Sequence, residues 1–170
     1  MNTNWDNAFR LMLASEGGYV HHSSDPGGMT NLGVTKATWE SWVGREVDEA
    51  EMRGLTPEKV EPLYKERYWD AVRGDELPVG ISYLLFDFAV NAGVGRSIKT
   101  LQTAVGVPAD GGFGPITMAA VQAVDPVELI ERFSQSKEDF YRSLTTFSTF
   151  GKGWLNRVAD VKAKSSSMLL

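Results

Sequence analysis

The stretch EGGYVHHSSDPGGMTNLGVT, residues 16–35, lies between a helical N-terminal segment and a long helical remainder, and it carries most of the candidate chemistry of the chain. Glycine, proline, serine and asparagine are too frequent in it for a helix. Asp-Pro-Gly-Gly at residues 25–28 is a strong turn signal, and the flanking segments of residues 19–34 can pair as a small hairpin. The stretch also holds two carboxylic acids, Glu16 and Asp25, so it is either a plain turn or a loop that holds two acids over a substrate.

Helical periodicity dominates the rest of the chain. Before the loop, Trp5, Phe9 and Met12 follow the spacing of an amphipathic helix, which the glycine pair after Glu16 should end. Thr35 is a candidate N-cap for a short helix. Further helices are expected from Thr56-Pro57, from Pro78, over residues 97–105 and 115–124, from Asp125-Pro126 to about residue 144, and from near Trp154.

The composition limits the classes of protein that the chain can belong to. Its 170 residues, 42% of them hydrophobic, suit one compact domain or two small lobes that share a core. Cysteine is absent from the sequence, which excludes disulfides and thiolate chemistry. A net charge of −5 without a cluster of lysine or arginine argues against nucleic-acid binding. The N-terminus has neither a basic segment nor a long apolar run, so no signal peptide or membrane-spanning helix is expected.

Glu16 and Asp25 suit general acid–base chemistry. Cleavage of a glycosidic bond needs one protonated acid at the leaving oxygen and one carboxylate that activates water or stabilises positive charge. Glu16 follows an apolar helical turn, where partial burial would raise its pKa, whereas Asp25 in a solvated turn would stay ionised. Local chemistry alone also allows a plainer interpretation, in which Glu16 ends a helix in solvent and Asp25 forms a turn before proline.

Other kinds of site have less support. His21, His22 and Asp25 could bind a metal, but adjacent histidines on an extended segment point to opposite sides, and no metal is expected. Nucleophile-elbow, phosphate-binding and dinucleotide motifs are missing from the sequence, so no cofactor is expected. Five aromatic residues could stack on sugars, although helical spacing assigns most of them to the core: Trp39, Trp42, Tyr64, Tyr68 and Trp69.

A series of short motifs extends along nearly the whole chain. They are Glu16-Gly-Gly-Tyr19, Asp25-Pro-Gly-Gly28, Thr30-Asn31, Gly33-Val-Thr35 and Trp39, then Tyr68-Trp69-Asp70, Asp87, Val90-Asn91, Gly93 and Leu101-Gln102. Together they resemble the signature of the family 108 glycoside hydrolases, the N-acetylmuramidases found among phage endolysins and related bacterial proteins. Residues 106–115 with Thr117, and residues 153–158, resemble the predicted peptidoglycan-binding region that members of this family carry.

The resemblance implies a mainly α, lysozyme-like helical bundle with a small β-hairpin after the first helix. It implies a catalytic lobe at residues 1–85 and a helical, predicted peptidoglycan-binding lobe at residues 86–170, tightly packed on the first. Glu16 takes the place of the catalytic acid of the EGGY motif.

A looser similarity to phage-type lysozymes adds candidates for the rest of the site. Those enzymes use a glutamate, an aspartate nine residues later and a threonine a few residues beyond, an order that Glu16, Asp25 and Thr30 reproduce, with Thr35 as a substitute for Thr30. The candidate substrate-binding residues are Tyr19, Asn31, Thr35, Asn91 and Asp110.

The implied activity is that of an endolysin-like N-acetylmuramidase, a lysozyme that hydrolyses the β-1,4 bond between N-acetylmuramic acid and N-acetylglucosamine. A lytic transglycosylase, a chitinase or chitosanase, and a non-catalytic peptidoglycan-binding module stay open as alternatives. The expected partner is the peptidoglycan glycan strand, without nucleic acid or stable membrane insertion, and the expected state is a monomer. The protein would be made in the host cytoplasm and reach the cell wall through a holin, or as a prophage or secretion-system effector.

Overall fold

The computed structural model describes residues 3–21 and 28–169, apart from the side chain of Thr3. His22 and Asp25 lie outside the described residues. Helices make up most of the described chain, and a small antiparallel sheet follows the first of them, which confirms the expected mainly α, lysozyme-like fold. None of the helices within the described residues is long and apolar enough to cross a membrane.

The N-terminal half combines one long helix, a sheet and several short helices. Helix α1 (Thr3–Ser15) leads into strands β1 (Val20–His21), β2 (Met29–Asn31) and β3 (Val34–Thr35). Strand β2 is central and antiparallel to both neighbours. The chain continues through α2 (Lys36–Val43), α3 (Glu49–Arg53), α4 (Pro57–Tyr64), a π-helical turn (Lys65–Trp69) and a 3₁₀ turn (Gly74–Glu76).

Five helices form the C-terminal half: α5 (Ile81–Ala92), α6 (Val94–Val105), α7 (Pro115–Ala123), α8 (Pro126–Ser143) and α9 (Phe147–Ser167). Residues 81–89 of α5 are all buried, and this helix packs against α1, α6, α8 and α9. A helix that is apolar all round is expected at the centre of a core. Helix α5 therefore joins the two halves of the chain, and the division into lobes at residue 85 stays a prediction.

Local sequence signals identify several helix ends correctly. The hydroxyl of Thr35 accepts a hydrogen bond from the amide of Thr38 at 3.1 Å and caps α2, as expected. Thr56 and Asp125 cap α4 and α8 in the same way, and each is followed by a proline at the first helical position. On α1 the predicted apolar face is buried, with Met12 fully inaccessible.

Two helices start away from their predicted positions because of glycines. Helix α5 begins after Gly80 rather than at Pro78; Gly80 has a φ of +87°, and a Cβ there would lie 2.7 Å from the carbonyl oxygen of Ser165. Helix α9 begins at Phe147, well before Trp154. Gly151 weakens the helical pattern in the sequence at this point. In the structure, the Phe147 ring occupies the space that a side chain at Gly151 would fill.

Two further differences concern shorter stretches. Helix α6 begins at Val94 rather than at residue 97, directly after Gly93. Helix α3 was not expected, because its five residues are too few for a periodic pattern. The carboxylate of Asp48 caps it by accepting from the amide of Glu51 at 2.9 Å.

Candidate active site

Glu16 is the first residue beyond α1, and its side chain is partly buried. Its amide donates to the carbonyl of Leu13 at 3.1 Å, which closes the last helical turn, and its side chain is 21% exposed. Burial raises the pKa of Glu16; Arg157 opposes this shift and Asp87 adds to it. A carboxyl group whose pKa is raised stays protonated to higher pH, as a general acid requires.

The turn between β2 and β3 lies directly against Glu16. Leu32 and Gly33 have φ values of +53° and +79°, the pattern of a two-residue type I′ hairpin turn. The hydroxyl of Tyr64 donates to the carbonyl of Leu32 at 2.7 Å and holds this turn. A Cβ at Gly33 would lie 2.6 Å from the Tyr64 hydroxyl and 3.0 Å from Cγ and Oε2 of Glu16. Only glycine therefore allows the backbone to approach the acid this closely.

Arg157 of α9 lies between Glu16 and a buried aspartate of α5. Its Nη2 is 3.9 Å from Oε1 of Glu16 and 2.7 Å from Oδ1 of Asp87. Asp87 is fully buried, and its other oxygen lies 3.3 Å from Nδ2 of Asn91 and 3.6 Å from Nζ of Lys137. These contacts connect the acid at the end of α1 to α5, α8 and α9. The residues called the Glu16 cluster below are Glu16, Gly33, Asp87, Lys137 and Arg157.

Lys137 is the second cation of this cluster, and unlike Arg157 it is fully buried. It is 1% exposed and lies 5.2 Å from the centre of the Phe88 ring. Burial lowers the pKa of Lys137, and the charge of Asp87 opposes that shift. Charged side chains are rarely buried without a partner. Asp87 is therefore the common partner of Lys137 and Arg157.

Three predicted substrate-binding residues hold the sheet in place. The ring of Tyr19 lies under the guanidinium of Arg53 at 4.1 Å, and its hydroxyl donates to Glu49 at 3.2 Å. Asn31 is buried, and its amide donates to the carbonyl of Met52 at 2.9 Å. Thr35 caps α2. Tyr19 and Asn31 thus attach the sheet to α3, while Thr35 joins β3 to the next helix.

Thr30, the second described candidate catalytic residue, belongs to the sheet. Thr30 is half-buried in the middle of β2, opposite Val20 on one side and Thr35 on the other. Alternation along a strand places Thr30 and Asn31 on opposite faces of the sheet. Asp25 lies outside the described residues.

Asp110 belongs to a second cluster. Its Oδ1 accepts from Nε2 of Gln102 at 2.9 Å and from the amide of Gly112 at 2.8 Å, and these hydrogen bonds lower its pKa. Gln102 also donates to Thr117, so that it closes the loop of residues 108–115 over a pocket of about 220 Å³. Among the described residues that line this pocket, none comes from the Glu16 cluster.

The sequence analysis did not assign a site role to Gly33, Asp87, Lys137 or Arg157. Two of these residues do interrupt a clear pattern. Asp87 is the one charged residue in the apolar run of α5, and Lys137 falls on the buried face of α8, four residues from Phe133 and from Tyr141. A charge on a buried face needs a partner, and this is the signal that could have identified the pair.

Comparisons with known proteins identify the family of the chain. The family model for Glycosyl hydrolase 108 matches residues 9–93, and the model for the Predicted Peptidoglycan domain matches residues 96–159. The comparison with curated proteins gives no match. Among solved structures, "Structure of Brucella abortus SagA" is 40% identical to this chain with a TM-score of 0.88, covering 99% of this chain and 97% of that chain.

The two matched regions divide the cluster between them. Glu16, Gly33 and Asp87 lie in the first region, and Lys137 and Arg157 lie in the second. A glycosyl hydrolase region combined with a peptidoglycan region makes the chain a peptidoglycan-degrading glycosidase. The first model matches half of the chain, and the SagA structure aligns with almost all of it. This glycoside hydrolase therefore belongs to the glycosyl hydrolase 108 family.

Proposed function

We propose that the protein is an endolysin-like N-acetylmuramidase that hydrolyses the β-1,4 bond between N-acetylmuramic acid and N-acetylglucosamine, with Glu16 as the general acid. The observation that carries the proposal is the position of the Glu16 carboxyl group, partly buried beneath the Gly33 turn with a raised pKa. The leaving oxygen of a glycoside must receive a proton, and a carboxyl group that stays neutral can supply it.

Arg157 and Asp87 adjust this acid in a specific way. An arginine in full contact with Glu16 would favour the ionised form and lower the pKa. Arg157 instead makes its short contact with Asp87, at 2.7 Å, and stays 3.9 Å from Glu16. Glu16 can therefore begin the reaction neutral, and Arg157 stabilises the carboxylate that proton donation leaves behind.

Asp25 is proposed as the second carboxylate, which orients a water or stabilises the oxocarbenium-like centre with help from Thr30. The support is the family resemblance and the nine-residue spacing from Glu16. Asp25→Asn should slow turnover by about 10² to 10⁴ if Asp25 acts as a base. The anomer released first, measured by NMR, distinguishes inversion from retention, which require carboxyl separations of about 6.5–9.5 Å and about 5–5.5 Å respectively.

The substrate-binding roles of Tyr19, Asn31, Thr35, Asn91 and Asp110 stay proposals. Asn91 has the strongest support, since it contacts Asp87 and lines a pocket together with Arg157. Asn31 has the least, since its amide is buried against Met52. Binding of Asn91→Ala protein to intact sacculi tests the first of these assignments.

Mass spectrometry of the fragments released from purified peptidoglycan tests the proposed function, with Glu16→Gln protein in parallel. Wild-type protein should release reducing-end muramic acid, and the variant should release almost nothing while its circular dichroism spectrum stays unchanged. Near-full turnover by Glu16→Gln would remove Glu16 from its role. Anhydro ends would indicate a lytic transglycosylase, and pelleting with sacculi without any fragments would indicate a binding module.

The biological setting is proposed from the resemblance alone. An endolysin that depends on a holin should leave bacteria intact when it is expressed in their cytoplasm, and co-expression of a holin should lyse them. Lysis without the holin would contradict this route. Sedimentation at several concentrations tests the proposed monomeric state.

A further inference from the structure

A pocket of about 320 Å³ lies next to the catalytic acid. It is bounded by the end of α5, the C-terminal part of α8 and one face of α9. Arg157 lines it and also approaches Glu16 to 3.9 Å, so that the pocket and the acid share one side chain. A glycan strand is a polymer, and its sugars must continue past the bond that Glu16 protonates.

Aromatic rings form one wall of this pocket. Trp154 stacks on Tyr141, with ring centres 5.0 Å apart and planes 25° apart. On the outer side, Phe150 lies 5.7 Å from Trp154 and is 54% exposed. Phe150, Trp154 and Arg157 follow the i, i+4, i+7 spacing of a single helix face. The rings therefore form a row that extends from solvent to Arg157.

The charges around the pocket indicate what it can bind. Arg157 is the one charged residue among the described residues that line it, and its guanidinium already contacts Asp87 at 2.7 Å. Its charge is thus largely offset before any ligand arrives. Among the described residues that line the pocket, an anionic ligand would find no unpaired cation, whereas a neutral ligand with an apolar face and polar edges would fit the stacked rings and the amide of Asn91.

We infer that this pocket binds an uncharged N-acetylhexosamine unit of the glycan strand, beyond the two sugars of the scissile bond. The inference rests on the proposed function, because it takes the glycan strand as the substrate. The volume is at the small end for ligand pockets and matches one sugar unit rather than several. The sugar packs against the rings that line the pocket, Trp154 among them, and Asn91 hydrogen-bonds to its edge.

Binding of soluble, peptide-free glycan strands to Glu16→Gln protein, measured by calorimetry, tests the inference. Trp154→Ala in this background should weaken binding about tenfold, and Trp154→Phe should recover most of it because a ring is kept. Leu155→Ala is the matched control. It alters the next residue of α9, which faces the side of Glu131 and Glu138, and it should bind like the parent protein.

Two results would overturn the inference: equal binding by Trp154→Ala and its parent, or displacement of the strands by free stem peptide. If Trp154→Ala does not fold, Asn91→Ala replaces it, because Asn91 is exposed. This variant should lose several-fold in affinity for the glycan strands. Active Trp154→Ala should still cleave the same bond, with a higher KM for long strands. Failure of the wild-type protein to release reducing-end muramic acid would refute the proposed function separately, whatever the binding result.

Discussion

Replacing Gly33 by alanine should separate the cost of an unfavourable backbone conformation from the cost of crowding Glu16, the proposed catalytic acid. Gly33 and Gly44 have almost the same φ, +79° and +78°. A Cβ at Gly44 would meet nothing within 4 Å, whereas one at Gly33 would lie 2.6 Å from the Tyr64 hydroxyl. Gly44→Ala is therefore a control in which the backbone cost acts alone.

The expected magnitudes follow from these distances. A left-handed conformation costs an alanine about 1–2 kcal/mol, which should be the whole loss of unfolding free energy for Gly44→Ala. Gly33→Ala should lose a further 1–3 kcal/mol, roughly, from overpacking. Tyr64 cannot move away easily, since its ring is 2% exposed and packs against Phe9 and Phe86. The contact with Tyr64 at 2.6 Å therefore has to be relieved by a shift of the turn, while Glu16, with its side chain 21% exposed, can yield to the second contact at 3.0 Å.

Displacement of Glu16 should reduce catalysis more than binding. A misplacement on the order of 1 Å can cost about 10²-fold in rate, so kcat on peptidoglycan fragments should fall by that factor in Gly33→Ala with little change in KM. Urea unfolding and initial rates measured on both variants give the comparison. If Gly33→Ala keeps the kcat of the wild type, the contact between the turn and Glu16 does not affect catalysis. If it loses no more unfolding free energy than Gly44→Ala, the expected overpacking is absent.

Two further predictions concern the buried charges. Arg157 lowers the pKa of Glu16, and Glu16 must be protonated to act as an acid. Arg157→Gln should therefore move the alkaline limb of the pH profile of kcat/KM to higher pH. An unchanged alkaline limb would disprove this electrostatic role. Asp87→Asn should lower the free energy of unfolding, measured in urea, by about 3–5 kcal/mol, because it leaves Lys137 buried without a negative partner. Adding Lys137→Met should recover part of that loss. A double variant no more stable than Asp87→Asn would contradict the pairing of the two residues.

The parts of the fold that sequence reasoning predicts well depend on neighbouring residues. Thr35, Thr56 and Asp125 cap helices through bonds to amides two or three residues away, and such bonds can be inferred from the residue types alone. Strand β3 was not predicted, because its turn places a leucine, Leu32, at positive φ, where asparagine or glycine is usual. The hydroxyl that supports this turn comes from Tyr64, on another helix.

The candidate site likewise has one part that neighbouring residues predict and another that depends on distant residues. Glu16 could be assigned from a motif of consecutive residues and its position at a helix end. Its electrostatic partners could not, because Asp87 and Arg157 are 70 positions apart in sequence and meet only when α5 packs against α9. The contact between Gly33 and Glu16 also depends on a turn that local propensity does not favour.

The charges around Asp87 also link the two matched regions. Burying Asp87 and Lys137 carries a desolvation cost, and apolar side chains of similar size could fill the same space. An apolar replacement of Asp87 would remove the ion pair of Arg157 at 2.7 Å, and a closer contact of Arg157 with Glu16 would then lower the pKa of Glu16. Asp87 holds Arg157 in that ion pair, and the same carboxylate is also the negative partner of Lys137. The C-terminal matched region thus contributes Arg157, and we expect the pKa of Glu16 to depend on this residue.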